Sequence, residues 1–257
     1  MTEPQRITSK DNPLLMRLRR LAADPAGYRH LGAVWLEGEH LCTAALQRSV
    51  AAAQALVSEA AWADPNLRAL AGWARRVVVI PDALYRSVSA LESPSKLGFV
   101  IELPEIPTID GVAATVVLDR LQDAGNVGSI LRSAAAMGVA QVLALRGTAA
   151  LWSPKVLRAG MGAHFALRLV EGLEAAALAA LKVPLLATSS HAGNDLHASV
   201  LPWPCAWVLG HEGQGLAPDI TARCAMTLRI NQPGGEESLN VAAAAAICLY
   251  ESLRQAQ

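Results

Sequence analysis

The sequence predicts an α/β protein built from two units, each a sheet covered by helices. Of its 257 residues, 53% are hydrophobic but only 4% are aromatic, which suits helices packed on a sheet better than an all-β sandwich. Short apolar runs alternate with helix-like segments along the chain. A segment with two prolines and a glycine, "LPEIPTIDG", separates two such patterns. We therefore place one domain at 1–104, a linker at 105–111 and a second domain at 112–257.

The first domain has the pattern of a small α/β unit. Residues 10–23 place leucines at helical spacing with arginines on the other side. The segments that follow predict a strand and turn in "AVWLEGE", a helix in "HLCTAALQRSV", a strand in "AQALVS", a proline-broken helix in "EAAWADPNLRALAGWA", and strands in "RRVVVI" and "KLGFVIEL".

Five apolar runs in the second domain predict a parallel sheet that helices cover on both faces. The strands are expected at 114–119, 140–145, 183–188, 205–210 and 225–230, and the helices at 128–137, 154–161, 172–181 and 238–254. Ligands of such sheets bind beyond the carboxyl ends of the strands. Four of these ends are polar: "LDRLQDAGNVG", "TSSHAGND", "GHEGQGL" and "INQPGGEESLN".

Charge is balanced overall and uneven locally. The formal net charge is zero, yet residues 1–30 hold six basic and three acidic side chains, a net of +3 (6 − 3). This basic start fits a phosphate-binding edge, and charge alone fits a solvated basic helix equally well.

Cysteine usage and the absence of long apolar runs indicate the compartment. The four cysteines form no C-x-x-C pair, so they are expected to be buried thiols in a reducing environment rather than zinc ligands or disulfides. The chain starts without a signal-peptide core, and no run approaches the roughly 18 apolar residues that span a bilayer. We expect a soluble cytoplasmic protein.

The loop and helix after the first strand of the second domain contain three candidate side chains. Asn126 and Ser129 are candidate helix caps. Arg132 sits in an otherwise apolar segment and needs a partner, either a structural ion pair or a bound anion; spacing alone leaves both open. The glycines here do not form G-x-G-x-x-G, so support for a dinucleotide site, and for a nucleotide-dependent oxidoreductase, is weak.

Two further loops carry candidates. In "VLGHEGQGL", Glu212 stands among glycines, where it can cap a helix N-terminus or bind a hydroxyl or cation; His211 lacks a triad partner and is expected to serve loop structure. In "GGEESLNV", Ser238 is the expected cap of the last helix, with Asn240 facing inward in its first turn. Metal catalysis has little support, and there is no phosphate-binding G-x-x-x-x-G-K-[ST].

Three segments in this order resemble the SpoU/TrmH family of RNA ribose 2′-O-methyltransferases, in the SPOUT superfamily. They are "LDRLQDAGNVGSILRSAAAMGV", "VLGHEGQGL" and "INQPGGEESLNVAAAAAICLYE", and "SPKVLRAGMGAHF" is similar to the stretch between the first two. The likeness covers roughly 112–257. The front, "ITSKDNPLLMRLRRL" to "VWLEGEHL", resembles, more loosely, the ribosomal-protein-like substrate-binding domain of many members.

The chain departs from the family pattern at three places. Asn231-Gln232 replaces the usual Pro-Met, Ala124 replaces a proline, and Ala242 replaces a serine or threonine. The first change lies in the loop expected to wrap the methyl donor, so donor affinity is the property it affects.

The resemblance implies a deep trefoil knot, S-adenosylmethionine as the methyl donor, and a homodimer with the site near the subunit interface. It implies that Thr188, Gly210, Ile230 and Leu239 hold the donor, with Gly234 and Gly235 letting the backbone close around it. It also implies an active site of Arg132, Asn126, Glu212, Ser238 and Asn240, with Arg132 meeting the RNA.

For the basic start of the chain, we expect phosphate contacts from Lys10, Arg17, Arg19 and Arg20. The implied substrate is RNA, more in keeping with large-subunit ribosomal RNA than with tRNA given the two-domain layout. The alternative is a catalytically silent RNA-binding protein of the same fold.

Overall fold

The computed structural model describes residues 3–189, 192–234 and 238–257, in an α/β order. The strands are β1 (Gln5–Arg6), β2 (Ala33–Glu37), β3 (Ala52–Ser58), β4 (Arg76–Ile80), β5 (Leu97–Glu102), β6 (Thr115–Asp119), β7 (Gln141–Leu145), β8 (Arg168–Leu173), β9 (Leu185–Thr188), β10 (Asn194–Asp195), β11 (Ala206–Gly210) and β12 (Met226–Arg229). The α-helices are α1 (Pro13–Ala23), α2 (Gly27–Leu31), α3 (Glu39–Gln47), α4 (Glu59–Ala63), α5 (Pro65–Ala71), α6 (Asp82–Val88), α7 (Ala124–Ala136), α8 (Pro154–Gly160), α9 (Pro218–Thr221) and α10 (Val241–Ala256).

The chain forms two compact units. The first is Met1–Glu105 with Trp152–Phe165, and the second is Ile106–Leu151 with Ala166–Gln257. The segment that contains α8 therefore packs with the first unit, whereas the sequence placed it within the second domain.

The first unit has a five-stranded sheet in the order β1-β4-β3-β5-β2. Strand β5 runs antiparallel to its two neighbours, and the other pairs are parallel. Helix α1 buries the leucines at helical spacing, Leu15, Leu18 and Leu21, and the Asn12 side chain caps its start. The predicted α/β unit is confirmed, although β1 and α6 carried too little pattern to be expected.

The second unit has a seven-stranded sheet in the order β10-β12-β9-β11-β6-β7-β8, and every pair is parallel. All five predicted strands are present, with ends that differ by at most two residues. Strands β6 and β7 are fully buried, in agreement with their near-continuous apolar sequences.

One region of the second unit differs from the prediction. Strand β8 was not predicted, and the helix expected at 172–181 is the 3₁₀ turn Ala175–Ala180. Strand β8 lies at the sheet edge and buries only two side chains, Leu169 and Val170, so it lacks a long apolar run. Alanine favours helix locally, but here the chain connects β8 to β9, and tertiary context overrides the propensity.

Helix α10 is docked on the sheet by a buried polar contact. The indole Nε1 of Trp207, on β11, donates to Ser252 Oγ of α10 at 2.9 Å, and both residues are buried. Helix α10 also packs against α7. Because these contacts fix the helix, they also determine where its N-terminus, with Asn240, lies.

Two further features concern the chain's environment. The four cysteines are free, and three of them are buried; burial raises the pKa of Cys205 to about 11 and that of Cys248 to about 12. Within the described residues, no helix combines the length and apolar character needed to cross a membrane.

Candidate active site

Three of the four predicted donor-binding residues lie at the carboxyl ends of strands in the parallel sheet. Thr188 ends β9, Gly210 ends β11, and Ile230 directly follows β12. Leu228 is the register partner of Thr188, and Gly210 is that of Asp119 at the end of β6. The sheet thus brings together residues 188, 210 and 230, which lie far apart in sequence, at the edge where ligands of parallel sheets bind.

Gly210 is required by the loop that follows it. A Cβ at this position would lie 2.5 Å from the backbone of Gly215 and of Leu216, so the loop folds directly against the glycine. Any side chain at 210 would push the loop 211–216 away from the strand end.

The described contacts of His211 stabilise the conformation of this loop. Its Nδ1 accepts hydrogen bonds from the backbone N–H groups of Gly213 and Gln214, at 3.0 and 3.2 Å. The Gly215 N–H donates to the His211 carbonyl at 2.8 Å. These bonds close a compact turn that presents Glu212 at its tip.

The start of α7 differs from the prediction in its cap. The Asp123 side chain accepts from the Asn126 N–H at 2.7 Å, so Asp123 is the N-cap. Asn126 and Ser129 were expected to cap because the helix was placed from residue 128, but it begins at Ala124. The side chain of Asn126 is thereby left available for other contacts.

The start of α10 also corrects the prediction. Asn240, not Ser238, is the N-cap, and its Oδ1 accepts from the N–H groups of Ala242 and Ala243 at 2.9 and 3.3 Å. Ser238 lies two residues earlier and is exposed, and Asn240 is exposed rather than facing inward. Asparagine caps as well as serine, and the helix begins at Val241, where only residue 240 has the capping position.

Asn126 connects the three sequence motifs. Its Oδ1 accepts from Asn240 Nδ2 at 3.0 Å, and its Nδ2 donates to Glu212 Oε1 at 3.2 Å. The three side chains come from the starts of α7 and α10 and from the loop after β11. They form one continuous hydrogen-bonded chain, Asn240 to Asn126 to Glu212.

Glu212 is held as a carboxylate. Partial burial raises its pKa, but this is outweighed by hydrogen bonds from its own backbone N–H, from the Asn126 side chain and from the backbone at Asp123 and Gln122, so the pKa lies below its usual range. Glu212 is therefore ionised at neutral pH and is a weak base. Its charge also lies at the N-terminus of α7, where the helix dipole favours an anion.

Arg132 is on the exposed side of α7. Its neighbours Ile130 and Leu131 are fully buried, whereas Arg132 points to solvent. Among the residues that the structure describes, none forms a hydrogen bond or ion pair with its guanidinium. Of the two interpretations left open by the sequence, a structural ion pair is therefore not seen among the described residues, and the anion site stays a prediction.

The segment that departs from the family pattern contains an unpartnered polar atom. The side-chain Oε1 of Gln232 is buried and accepts no hydrogen bond from the described residues. At neighbouring Gly234 a Cβ would meet none of the described residues within 4 Å, and Gly235 lies outside the described residues. Leu239 is 39% exposed just before α10.

Two of the four residues predicted to contact phosphate form hydrogen bonds within the first unit, and the other two do not. Arg17 donates to the Leu31 carbonyl at 3.0 Å, and Arg19 donates to the Lys10 carbonyl and to Ser87 Oγ, both at 2.9 Å. Lys10 and Arg20 are exposed, and no described residue engages their charged groups. Lys10 and Arg20 are thus the two with fully available charge.

Sequence reasoning missed Asp119 and Arg120. They form a bidentate ion pair at the carboxyl end of β6, directly beside Gly210. The available signal was an aspartate at the end of an otherwise apolar strand, since such a buried charge needs a partner.

In the described residues, no cluster of histidine, cysteine or acidic side chains is arranged to hold a metal ion.

Comparison with known families defines the class of protein to which this fold and site belong. Residues 113–250 match the model of the SpoU rRNA Methylase family, which is more than half of the chain. The chain belongs to this family.

A curated relative and two solved structures show how far the likeness extends. The 23S rRNA (guanosine-2′-O-)-methyltransferase RlmB of Bordetella pertussis is 36% identical over 156 residues, which cover 59% of this chain and 64% of the relative. The structure of a TrmH-family protein from Porphyromonas gingivalis is 30% identical, with a TM-score of 0.82 over 95% of this chain and 98% of that one. The AdoMet-bound rRNA methyltransferase of Sinorhizobium meliloti, 23% identical, has the same fold, with a TM-score of 0.86 over 98% of both chains.

The two functions of Asn240 can be separated by substitution. Asn240→Asp keeps a capping oxygen but removes the amide donor to Asn126, so we expect near-normal thermal stability with activity lowered about 10-fold or more. Asn240→Ala removes both and should also cost about 1 kcal/mol of stability. Thermal unfolding and methyl-transfer rates of the two variants test this, and full activity in Asn240→Asp would show that the link to Asn126 is dispensable.

The unpartnered oxygen of Gln232 predicts a stabilising substitution. Replacing the amide with the methionine that the family pattern has at this position removes an unsatisfied buried acceptor, which typically costs about 1–3 kcal/mol. Gln232→Met should therefore raise the free energy of unfolding of the ligand-free protein. Urea unfolding measures this; Gln232→Glu, which buries a charge, is the control and should be destabilising. Equal or lower stability of Gln232→Met would contradict the prediction.

Proposed function

We propose that this protein transfers a methyl group from S-adenosylmethionine to a ribose 2′-hydroxyl of RNA. The observation that carries the proposal is the hydrogen-bonded chain Asn240–Asn126–Glu212, together with an exposed Arg132 on the same helix as Asn126 that lacks a partner among the described residues. Family membership supports the activity, and the relative from Bordetella pertussis is a 23S rRNA (guanosine-2′-O-)-methyltransferase.

The site fits the proposed donor. Thr188, Gly210 and Ile230 line the carboxyl edge of three adjacent strands, and Gly210 permits close approach of backbone at this edge. Gln232 follows Ile230 and Asn231 directly, and its buried Oε1 has no hydrogen-bond partner among the described residues. The amino group of S-adenosylmethionine is a suitable donor for this oxygen. We assign donor binding to these residues and to Leu239. When bound, S-adenosylmethionine supplies an electrophilic methyl group.

The chain's own side chains orient the reaction. Because Glu212 is ionised and occupied by N–H donors, it anchors the loop 211–217 and Asn126 rather than removing the hydroxyl proton. Arg132 binds the phosphate next to the reacting ribose and stabilises the alkoxide that develops as the proton leaves. A guanidinium stays protonated near neutral pH, so Arg132 does not itself act as a base. Ser238 and Asn240 shape the third side of the site.

We further propose that the substrate is ribosomal RNA and that the first unit supplies RNA affinity. The relative from Bordetella pertussis, which is 36% identical, is an rRNA methyltransferase. In the first unit, the charges of Lys10 and Arg20 are exposed and have no partner among the described residues.

We also propose that the protein is a cytoplasmic homodimer and that its second domain has the trefoil knot of the family. Mapping 2′-O-methylation in RNA from a deletion strain identifies the substrate, and a methyl-release assay on total RNA separates an enzyme from a silent RNA-binding protein.

Arg132→Ala should lower methyl transfer by about 100-fold or more, because it removes a charge that acts on the developing alkoxide. Binding of S-adenosylmethionine, measured by calorimetry, should be unchanged. Arg132→Lys should restore only part of the rate, since lysine does not bind a phosphate bidentately. Near-normal turnover of Arg132→Ala would exclude this assignment.

The double variant Lys10→Ala/Arg20→Ala should weaken RNA binding and reduce its salt dependence. Each lost phosphate contact lowers the slope of log K against log salt by about 0.7–0.9. Fluorescence anisotropy over a salt series measures the slope. Lys182→Ala, an exposed lysine of the second unit, is the control. Identical slopes for the double variant and wild type would place RNA affinity elsewhere.

A further inference from the structure

The ion pair at the end of β6 has an unusual geometry. Asp119 and Arg120 are adjacent, yet Arg120 Nε and Nη2 donate to the two carboxylate oxygens of Asp119 at 2.8 and 3.0 Å. The Asp119 side chain is only 3% exposed, and that of Arg120 is 32% exposed. Bidentate pairs of this kind are short, directional and strong.

The backbone is adapted to make this pair possible. Arg120 has φ +59°, in the left-handed region that residues with a Cβ disfavour. In the described part of the second unit, no other non-glycine residue has a positive φ. Strain of this kind persists where surrounding contacts maintain it, and it is concentrated at functional sites.

The contacts that maintain it lie in the loop that carries Glu212. Arg120 Nη1 donates to Gln214 Oε1 at 3.1 Å, and Nη2 donates to the Gly215 carbonyl at 3.3 Å. The Ala217 N–H donates to Asp119 Oδ2 at 2.9 Å. The pair therefore binds one side of the loop 211–217, while Asn126 binds its tip through Glu212.

We propose that Arg120, held on Asp119, is a positioning residue for methyl transfer, which keeps the loop 211–217 in place so that Glu212 stays bonded to Asn126. This inference rests on the proposed function. Arg120 acts through Glu212 and Asn126 rather than by touching substrate. A displacement of about 1 Å in a site can lower a rate about 100-fold, so a fixed loop matters.

Two substitutions separate positioning from stability. Arg120→Ala removes the contacts and leaves the left-handed backbone strained, whereas Arg120→Gly removes the same contacts and relieves the strain. We expect Arg120→Gly to unfold at a higher temperature than Arg120→Ala, while both lose about 10- to 100-fold in kcat. If activity instead follows stability, with Arg120→Gly near wild type, the proposal is overturned.

A double-mutant cycle tests whether Arg120 acts through Glu212. The double variant Arg120→Ala/Glu212→Gln should be no slower than the slower of the two single variants, because both lose the same loop position. Effects that multiply would show independent roles and would exclude the mechanism. Arg254→Ala is the matched control: Arg254 also pairs with a nearby carboxylate, Glu251 at 2.6 Å, but does not contact the loop, and its kcat should be unchanged.

A measurement that does not depend on catalytic activity distinguishes the role of Arg120 from the proposed methyltransferase function. Hydrogen exchange of the Gly213, Gln214 and Ala217 amides should be about 10-fold faster in Arg120→Ala and Arg120→Gly than in wild type. If wild type methylates no RNA while this acceleration is seen, the proposed function fails and the positioning of the loop stands. Unchanged exchange in both variants would exclude the role of Arg120, whatever the activity.

Discussion

The parallel pairing of β11 with β6 is the constraint on which the site depends. It sets Gly210 beside Asp119, so the loops that leave these two strands start as neighbours. The loop after β6 leads into α7 with Asn126, and the loop after β11 carries Glu212. A slip of one residue in this pairing would turn Asp119 to the opposite face of the sheet and separate the ion pair from the loop that it binds.

Within that frame, Asn126 has a role that few side chains can fill. A primary amide donates and accepts at once, and Asn126 donates to a carboxylate on one side while accepting from a second amide on the other. An aspartate at this position would oppose the charge of Glu212, and an alanine would remove the hydrogen bonds to both Glu212 and Asn240. The chemistry of the residue thus explains why three distant segments can meet at one point.

The sequence predicted the strands better than the polar contacts. The buried strands β6 and β7 have near-continuous apolar centres, so the sequence predicts their positions, whereas the half-exposed edge strand β8 has no such run and was not predicted. The site residues Asn126, Glu212 and Asn240 came from a family resemblance, and their mutual contacts came only from the structure. The cap of α10 was placed on Ser238 because local sequence offers serine and asparagine equally. Arg120 was missed because its partners, Gln214 and Gly215, are about 95 residues away.

Ion pairing and hydrogen bonding engage the charges of Asp119, Arg120 and Glu212 at this site, which sets Arg132 apart from them. The charge of Arg120 is neutralised by Asp119, and that of Glu212 is balanced by N–H donors at the start of α7. Arg132 is a charge that no described residue compensates, and it lies on the exposed face of α7, the helix that also carries Asn126. The proposed contact of Arg132 with a phosphate therefore does not require a net positive charge on the whole chain. Asp119 and Glu212 are each held by hydrogen-bond donors of the second unit, and Arg132 has no partner among the described residues.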